Sequence, residues 1–136
     1  MALAEQWYWI AIDRFPDGRG SLSLMELGKQ LPFEVKRLYW VDRVPDRQTT
    51  RGHHAHGALR QVLFCTSGDC ELELTRRDGK TEVVTLTHDG DALFLEGQVW
   101  RVMQNFSPDC CLMVLADREF AQDSYTRDFA AFRAGG

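Results

Sequence analysis

No run of apolar residues in this chain of 136 approaches the ~20 needed to span a bilayer. The opening residues, MALAEQWYWIAIDRF, have no basic segment followed by a long apolar stretch. No secretion signal is therefore expected, and the chain reads as cytoplasmic, with no membrane partner. A basic stripe is missing as well. The net charge of −4 is spread over both halves, which argues against nucleic acid as a partner. A local group of arginines would still serve a phosphorylated small molecule. Paired C-x-x-C spacings are absent too, so Cys65, Cys70, Cys110 and Cys111 present no zinc motif. They form no disulfide framework either, and a bridge between adjacent Cys110 and Cys111 would be strained. The four are expected to be reduced packing residues.

Long helical periodicity is scarce, and what replaces it is a period of two. Ser21 to Leu27 and Cys70 to Leu74 alternate as half-exposed strands do. Denser runs, Leu38–Val44, Gln61–Cys65, Thr81–Leu86, Ala92–Leu95 and Cys110–Leu115, suggest strands buried on both faces. Turn signals separate them, the clearest being Arg77-Asp78-Gly79-Lys80, where Asp-Gly can supply positive φ. Short strands at regular spacing predict an all-β fold, an antiparallel sandwich or barrel. In the tail, Tyr125, Phe129 and Phe132 fall at helical spacing and predict a short C-terminal helix packed by its aromatics. A single domain over 1–136 is expected, long enough to bury roughly two-thirds of its unfolded surface.

The sharpest local signal is Arg51-Gly52-His53-His54-Ala55-His56. Alternation puts His54 and His56 on one face of a strand, with His53 and Ala55 on the other. Two imidazoles aimed inward serve metal ligation, acid–base chemistry or a satisfied polar core. The segment resembles the first cupin motif: a glycine, His-x-His, an acidic ligand, then a glycine. Here the acidic position holds Gln61, followed by Gly68. The second motif runs from Gly90 to Asn105, with Arg101 in place of its histidine. An amide replaces a carboxylate poorly, and a guanidinium has no lone pair to donate and keeps its charge. No metal is expected between these residues. Arg101 is instead placed to stabilise an oxyanion, or to pair with an acid such as Glu96 and hold the barrel together.

Further along, an ordered set of stretches resembles the dTDP-4-keto-6-deoxyglucose 3,4-ketoisomerase family. They include Asp17-Gly18-Arg19-Gly20-Ser21-Leu22, Pro32 to Tyr39, Arg51 to His56, Gly97 to Met103, Asp109 to Ala116, and the tail from Asp123 to Phe132. The resemblance implies a cupin jelly-roll barrel and a homodimer that exchanges N-terminal strands. It also implies a dTDP-linked keto sugar as substrate, no cofactor, a place in deoxyamino-sugar biosynthesis, and His54 and His56 as acid–base groups. The family usually has Lys where this chain has Gly57, and Gly-Pro before the Val-Trp where it has Glu96-Gly97-Gln98.

Imidazole chemistry fits that reaction, since a ring with a pKa near 6.5 both takes and gives a proton near neutrality. Arg19, Arg37 and Arg51 are candidates to hold the pyrophosphate, each with a surface ion pair as the alternative. Tyr39 and Gln61 are candidates for the sugar pocket, and Trp100 lies either in the pocket or in packing. Two other functions stay open. One is a cupin-type sugar-nucleotide epimerase, which is expected to pair its histidine with an aspartate; no Asp here has an obvious claim to that place. The other is a non-catalytic nucleotide-sugar-binding cupin.

Overall fold

Alternation dictates the architecture. The computed structural model describes residues 5–135. The strands are β1 (Trp7–Ile10), β2 (Asp13–Asp17), β3 (Gly20–Leu24), β4 (Arg37–Val41), β5 (Arg51–His56) and β6 (Arg60–Ser67). They continue as β7 (Asp69–Thr75), β8 (Thr81–Thr87), β9 (Ala92–Glu96), β10 (Trp100–Gln104), β11 (Cys111–Ala116) and β12 (Tyr125–Thr126). Two short α-helices, α1 (Leu27–Gln30) and α2 (Phe129–Ala134), and a single 3-10 turn, Phe120–Gln122, complete the described elements. None of them is long and apolar enough to cross a membrane.

Two five-stranded antiparallel sheets result, ordered β1-β9-β6-β11-β4 and β12-β5-β10-β7-β8, with β2-β3 as a separate hairpin. The expected all-β jelly roll is thus formed, as a sandwich of two sheets rather than as a closed barrel. Between them lies a core in which Leu63, Leu72, Leu74, Leu86, Leu93 and Leu112 are fully buried. Each such leucine contributes about 2 kcal/mol. A second apolar cluster, with Ile10, Phe33, Phe94 and Leu115, packs on the outer face of the first sheet.

Several sequence expectations shift for identifiable reasons. The Thr81–Leu86 run is not buried on both faces, because β8 is the edge of its sheet: Val84 and Leu86 point inward while Val83 is 49% exposed. The run from Leu38 stops at Val41, and Arg43 takes a positive φ of 57°. The alternation from Ser21 ends at Leu24, and α1 follows. The Asp78-Gly79 turn forms as expected: Gly79 has φ 91°, and the Arg76 N–H donates to the Lys80 carbonyl at 2.9 Å. In the tail only α2 is helical. Asp128 caps it by accepting from the Ala131 N–H at 3.1 Å. Tyr125, read as part of that helix, lies instead in β12 and pairs with His56 of β5.

Candidate active site

Strand β5 carries the histidines, and its shape departs from plain alternation. Opposite it on β10, Arg101 faces His54, but Val102 faces Gly52 and Met103 faces Arg51. His53 is therefore the extra residue of a β-bulge. Gly52 and His53 have φ values of 87° and 54°, and a β-carbon on Gly52 would stand 3.0 Å from the Arg101 carbonyl. A glycine is what this close, left-handed step requires. The bulge has a chemical consequence. Directly opposed residues share a face, so Arg51 turns to the same side as His54 instead of following His53 outward.

A cavity of about 380 Å³ opens there, lined among others by Tyr39, Thr50, Arg51, His54, Met103 and Arg127. His53 touches its rim, is exposed, and bonds through Nε2 to Thr50 Oγ1 at 2.8 Å. Behind His54 the two rings meet edge-on, Nε2 to Nε2 at 2.9 Å. The Nδ1 of His56 then bonds to Asp123 Oδ1 at 3.0 Å, and Arg37 Nη2 donates to Asp123 Oδ2 at 3.1 Å. Both carboxylate oxygens of this buried residue are thus engaged. The order of these bonds assigns the protons. A carboxylate accepts, so His56 carries its proton on Nδ1, its Nε2 accepts, and His54 donates from Nε2. His54 Nδ1 is left without a protein partner.

Electrostatics keep both rings neutral. Burial, helped by the charges of Arg101 and Arg127, holds His54 below its ordinary pKa of 6.5, although the Gly52 backbone pulls the other way. Burial and the Arg101 charge press His56 down to about 4, against the opposing pull of Asp123.

Arg101 occupies the centre and is 1% exposed. Its Nη1 donates to Gln61 Oε1 at 2.6 Å, its Nη2 to the Glu96 and Gly97 carbonyls at 2.7 and 3.1 Å, and its Nε to the Val99 carbonyl at 3.2 Å. Gln61 in turn donates from Nε2 to the Tyr39 hydroxyl at 2.7 Å. Burial lowers the guanidinium only to about 10, so the charge persists. The expected salt bridge to the Glu96 side chain is replaced by a bond to its backbone carbonyl. The expectation that Arg101 meets an oxyanion directly is also amended: its donors are bound to protein oxygens, and its charge reaches the site through space. An amide bonded to a guanidinium fills the two remaining ligand positions, a donor set that does not fit a divalent metal.

The other candidates divide. Tyr39 and Arg51 line the cavity, and Gln61 lies behind it. Arg37 is committed to Asp123, at 15% side-chain exposure, rather than open to a pyrophosphate. Trp100 is not in the pocket. As the neighbour of inward-facing Arg101 it points outward, stacked edge-on against Phe129 at 5.1 Å and close to Phe132 at 5.7 Å beneath α2. Arg19 sits at the β2–β3 turn with its side chain 91% exposed, paired to Asp17 and away from its own chain's cavity. Gly57, where the resemblance expects Lys, donates its N–H to the Ser124 carbonyl at 2.9 Å.

Sequence reasoning missed Asp123, Tyr125 and Arg127. All three come from the tail that crosses over β5. Asp123 stands 67 residues from His56, and no local pattern marks it. The signal available was the resemblance of the tail itself, polar around Asp123 before the apolar positions of α2. The rings of His54 and His56 lie 5.7 and 5.8 Å from Tyr125, over which Arg127 stacks at 5.0 Å.

Comparison with known proteins finds relatives along most of the chain. The chain is 37% identical over 118 residues, 86% of its own length and 83% of the relative's, to a TDP-4-oxo-6-deoxy-alpha-D-glucose-3,4-oxoisomerase from Aneurinibacillus thermoaerophilus. The structure of QdtA, a sugar 3,4-ketoisomerase from Thermoanaerobacterium thermosaccharolyticum in complex with TDP, superposes with a TM-score of 0.88 at 30% identity, covering 97% of this chain and 95% of that one. The WlaRB TDP-quinovose 3,4-ketoisomerase from Campylobacter jejuni does so with a TM-score of 0.86 at 32% identity, over 97% and 100%. Since residues 5–135 match the family described as FdtA, WxcM-like, C-terminal, the chain belongs to that family.

Proposed function

We propose that this protein is a 3,4-ketoisomerase of a TDP-linked 4-keto-6-deoxyglucose, acting in deoxysugar biosynthesis by proton transfer through His54 and His56. The observation that carries it is the pair of neutral imidazoles sharing a 2.9 Å hydrogen bond beside a cavity. In a 4-keto sugar the C3 hydrogen is acidified by the neighbouring carbonyl. Moving the ketone to C3 transfers one proton from C3 to C4 and another from O3 to O4, through an enediolate and with no net redox change. Two linked rings that each hold or release a proton match that count.

His54, which lines the cavity, is the ring that meets the sugar. His56 lies behind it with its tautomer held by Asp123, and Arg37 holds Asp123. The buried charge of Arg101 offsets the negative charge of the enediolate without being touched by it. Arg51 and Arg127 face the cavity, and no carboxylate among the described residues pairs with either. They are the residues suited to the diphosphate. Arg127 takes the part first given to Arg37.

The active form is a homodimer in this reading. Trp9, Phe15, Leu22, Leu38 and Trp40 are all 48–62% exposed, more apolar surface than a monomer comfortably keeps in water. Beside them a cavity of about 350 Å³, lined mainly by apolar residues such as Met25, Phe64 and Met113, lies on the outer face of the first sheet. An exchanged N-terminal segment would cover that face, and its β2–β3 turn would carry Arg19 toward the partner's site.

One observation favours the epimerase reading: the His56–Asp123 pair exists after all. A single-carbon epimerisation, however, must deliver its proton to the opposite face of the same carbon, and two rings bonded to each other on one side of β5 do not straddle a sugar. Incubation with dTDP-4-keto-6-deoxyglucose in D₂O, followed by NMR, decides. A C3 ketone with deuterium at C4 is expected. Deuterium at C3 or C5 with the C4 ketone kept would make the protein an epimerase, and binding without exchange a sugar-nucleotide binder.

A further inference from the structure

At the opposite end of β6 from Gln61 the interior turns from nitrogen and oxygen to sulfur. Alternation sends Gln61, Leu63 and Cys65 of β6 inward, as it does Cys70, Leu72 and Leu74 of β7. Cys110, just ahead of β11, joins them. The Sγ of Cys65 lies 3.9 Å from that of Cys70 and 3.8 Å from that of Cys110, and all three sulfurs fall within 4.8 Å of one another. Their exposures are 2%, 0% and 4%. Two come from the first sheet and its approach, and one from the second, so the cluster bridges the sandwich.

We propose that Cys65, Cys70 and Cys110 form a three-sulfur binding site for a soft cation, Cu(I). Packing alone asks only that each thiol be small and apolar, and does not ask three from separate segments to converge. The size of the triangle is informative. With edges of 3.8 and 3.9 Å and a third no longer than 4.8 Å, the point equidistant from the corners lies about 2.2–2.5 Å from each sulfur, which brackets the ~2.3 Å of a metal–thiolate bond. Soft thiolates select Cu(I) and zinc. Zinc takes four ligands in a closed site, and no fourth His, Cys, Asp or Glu of the described residues joins the group. A three-coordinate monovalent ion fits what is there.

The cluster lies in the main core with Leu72, Leu86 and Phe106, and the Leu86 carbonyl stands 3.7 Å from Cys65 Sγ. When Cu(I) enters, the three S–H bonds break and their protons leave to water, three copper–sulfur bonds form, and the metal keeps its oxidation state. Affinity should therefore rise with pH. The bound ion would tie β6, β7 and the start of β11 together, about 13 Å along β6 from Gln61. It should stabilise the fold and leave the histidine chemistry untouched.

The test is an anaerobic titration of the reduced full chain with the acetonitrile complex of Cu(I), in competition with bicinchoninate, followed by X-ray absorption at the copper edge. We expect one copper per chain, sulfur neighbours only at about 2.3 Å, a raised melting temperature and unchanged activity. Cys65→Val should abolish binding at least ~10²-fold while Cys111→Val, whose thiol lies outside the cluster, keeps it. If Cys65→Val fails to fold, Cys110→Ala, nearest the surface, takes its place. No competition against bicinchoninate, nitrogen neighbours that betray binding at His54 and His56, or equal loss in Cys111→Val would each overturn the site.

Discussion

Two ends of one interior, joined by β6, use burial in opposite ways. At the Gln61 end every buried polar atom of Arg101 has an acceptor, and its charge is kept where it is costly to keep. At the Cys65 end the buried groups are thiols that touch mainly each other and a single carbonyl. The first end is an electrostatic device whose effect is felt at the histidines. The second gives up polarity and gains density. The difference shows that the same inward positions of a strand can be assigned to chemistry or to cohesion. Which one is decided by whether the neighbouring segments supply hydrogen-bond acceptors.

If the histidine end is the chemical one, its largest failure comes from His54. His54→Asn removes a group that holds the proton in flight, and turnover should fall by at least ~10²-fold, with nucleotide affinity within several-fold. His53→Asn, at the bulge and bonded only to Thr50, should stay near wild type in the same assay. A tolerant His54 beside a sensitive His53 would place the bulge one residue off and reverse the assignment of faces on β5.

Arg101 sharpens the contrast next, because it separates charge from contact. Arg101→Met strands Gln61 and three carbonyls in the interior, and should cost about 3–5 kcal/mol. That is on the order of 10 °C or more in melting temperature for a domain of this size. It also removes a positive charge that depresses both histidines. The acid limb of the pH–rate profile should therefore move to higher pH in the folded fraction. Early melting with an unmoved limb would reduce Arg101 to a structural brace.

How much of this was legible beforehand follows from physical range. Period-two patterns act over neighbouring residues, so the strands, the inward pair His54 and His56, and the inward Arg101 were readable. So was the inward setting of Cys65, Cys70 and Cys110, had the alternation been carried through each strand. Applied to β10, the same rule also sets Trp100 outward once Arg101 is inward. The bulge at Gly52-His53 was hidden, since it depends on what β10 places opposite. So was Asp123, whose claim on His56 exists only after the tail has crossed β5. Whether the all-β chain would be a sandwich or a barrel stayed open, because edge formation depends on pairings across the whole chain.

The smallest expected effect is a pH dependence of stability, and its sign follows from the neutral rings. His56 in the folded protein is depressed to about 4 by burial and the Arg101 charge, whereas in the unfolded chain it titrates near 6.5. Between those values the unfolded state binds more protons than the folded one, so stability falls as pH drops below 6.5 and levels off near 4. Above 6.5 this contribution is fully present and flat. The slope in the window is at most about 1.4 kcal/mol per pH unit, and less where the site stays partly solvated. Denaturant melts at pH 7, 6 and 5 should show the decline in wild type and a shallower one in His56→Asn, which has nothing to titrate there. Equal slopes in wild type and His56→Asn would mean that the acid sensitivity arises elsewhere, and that His56 is not held neutral by its surroundings.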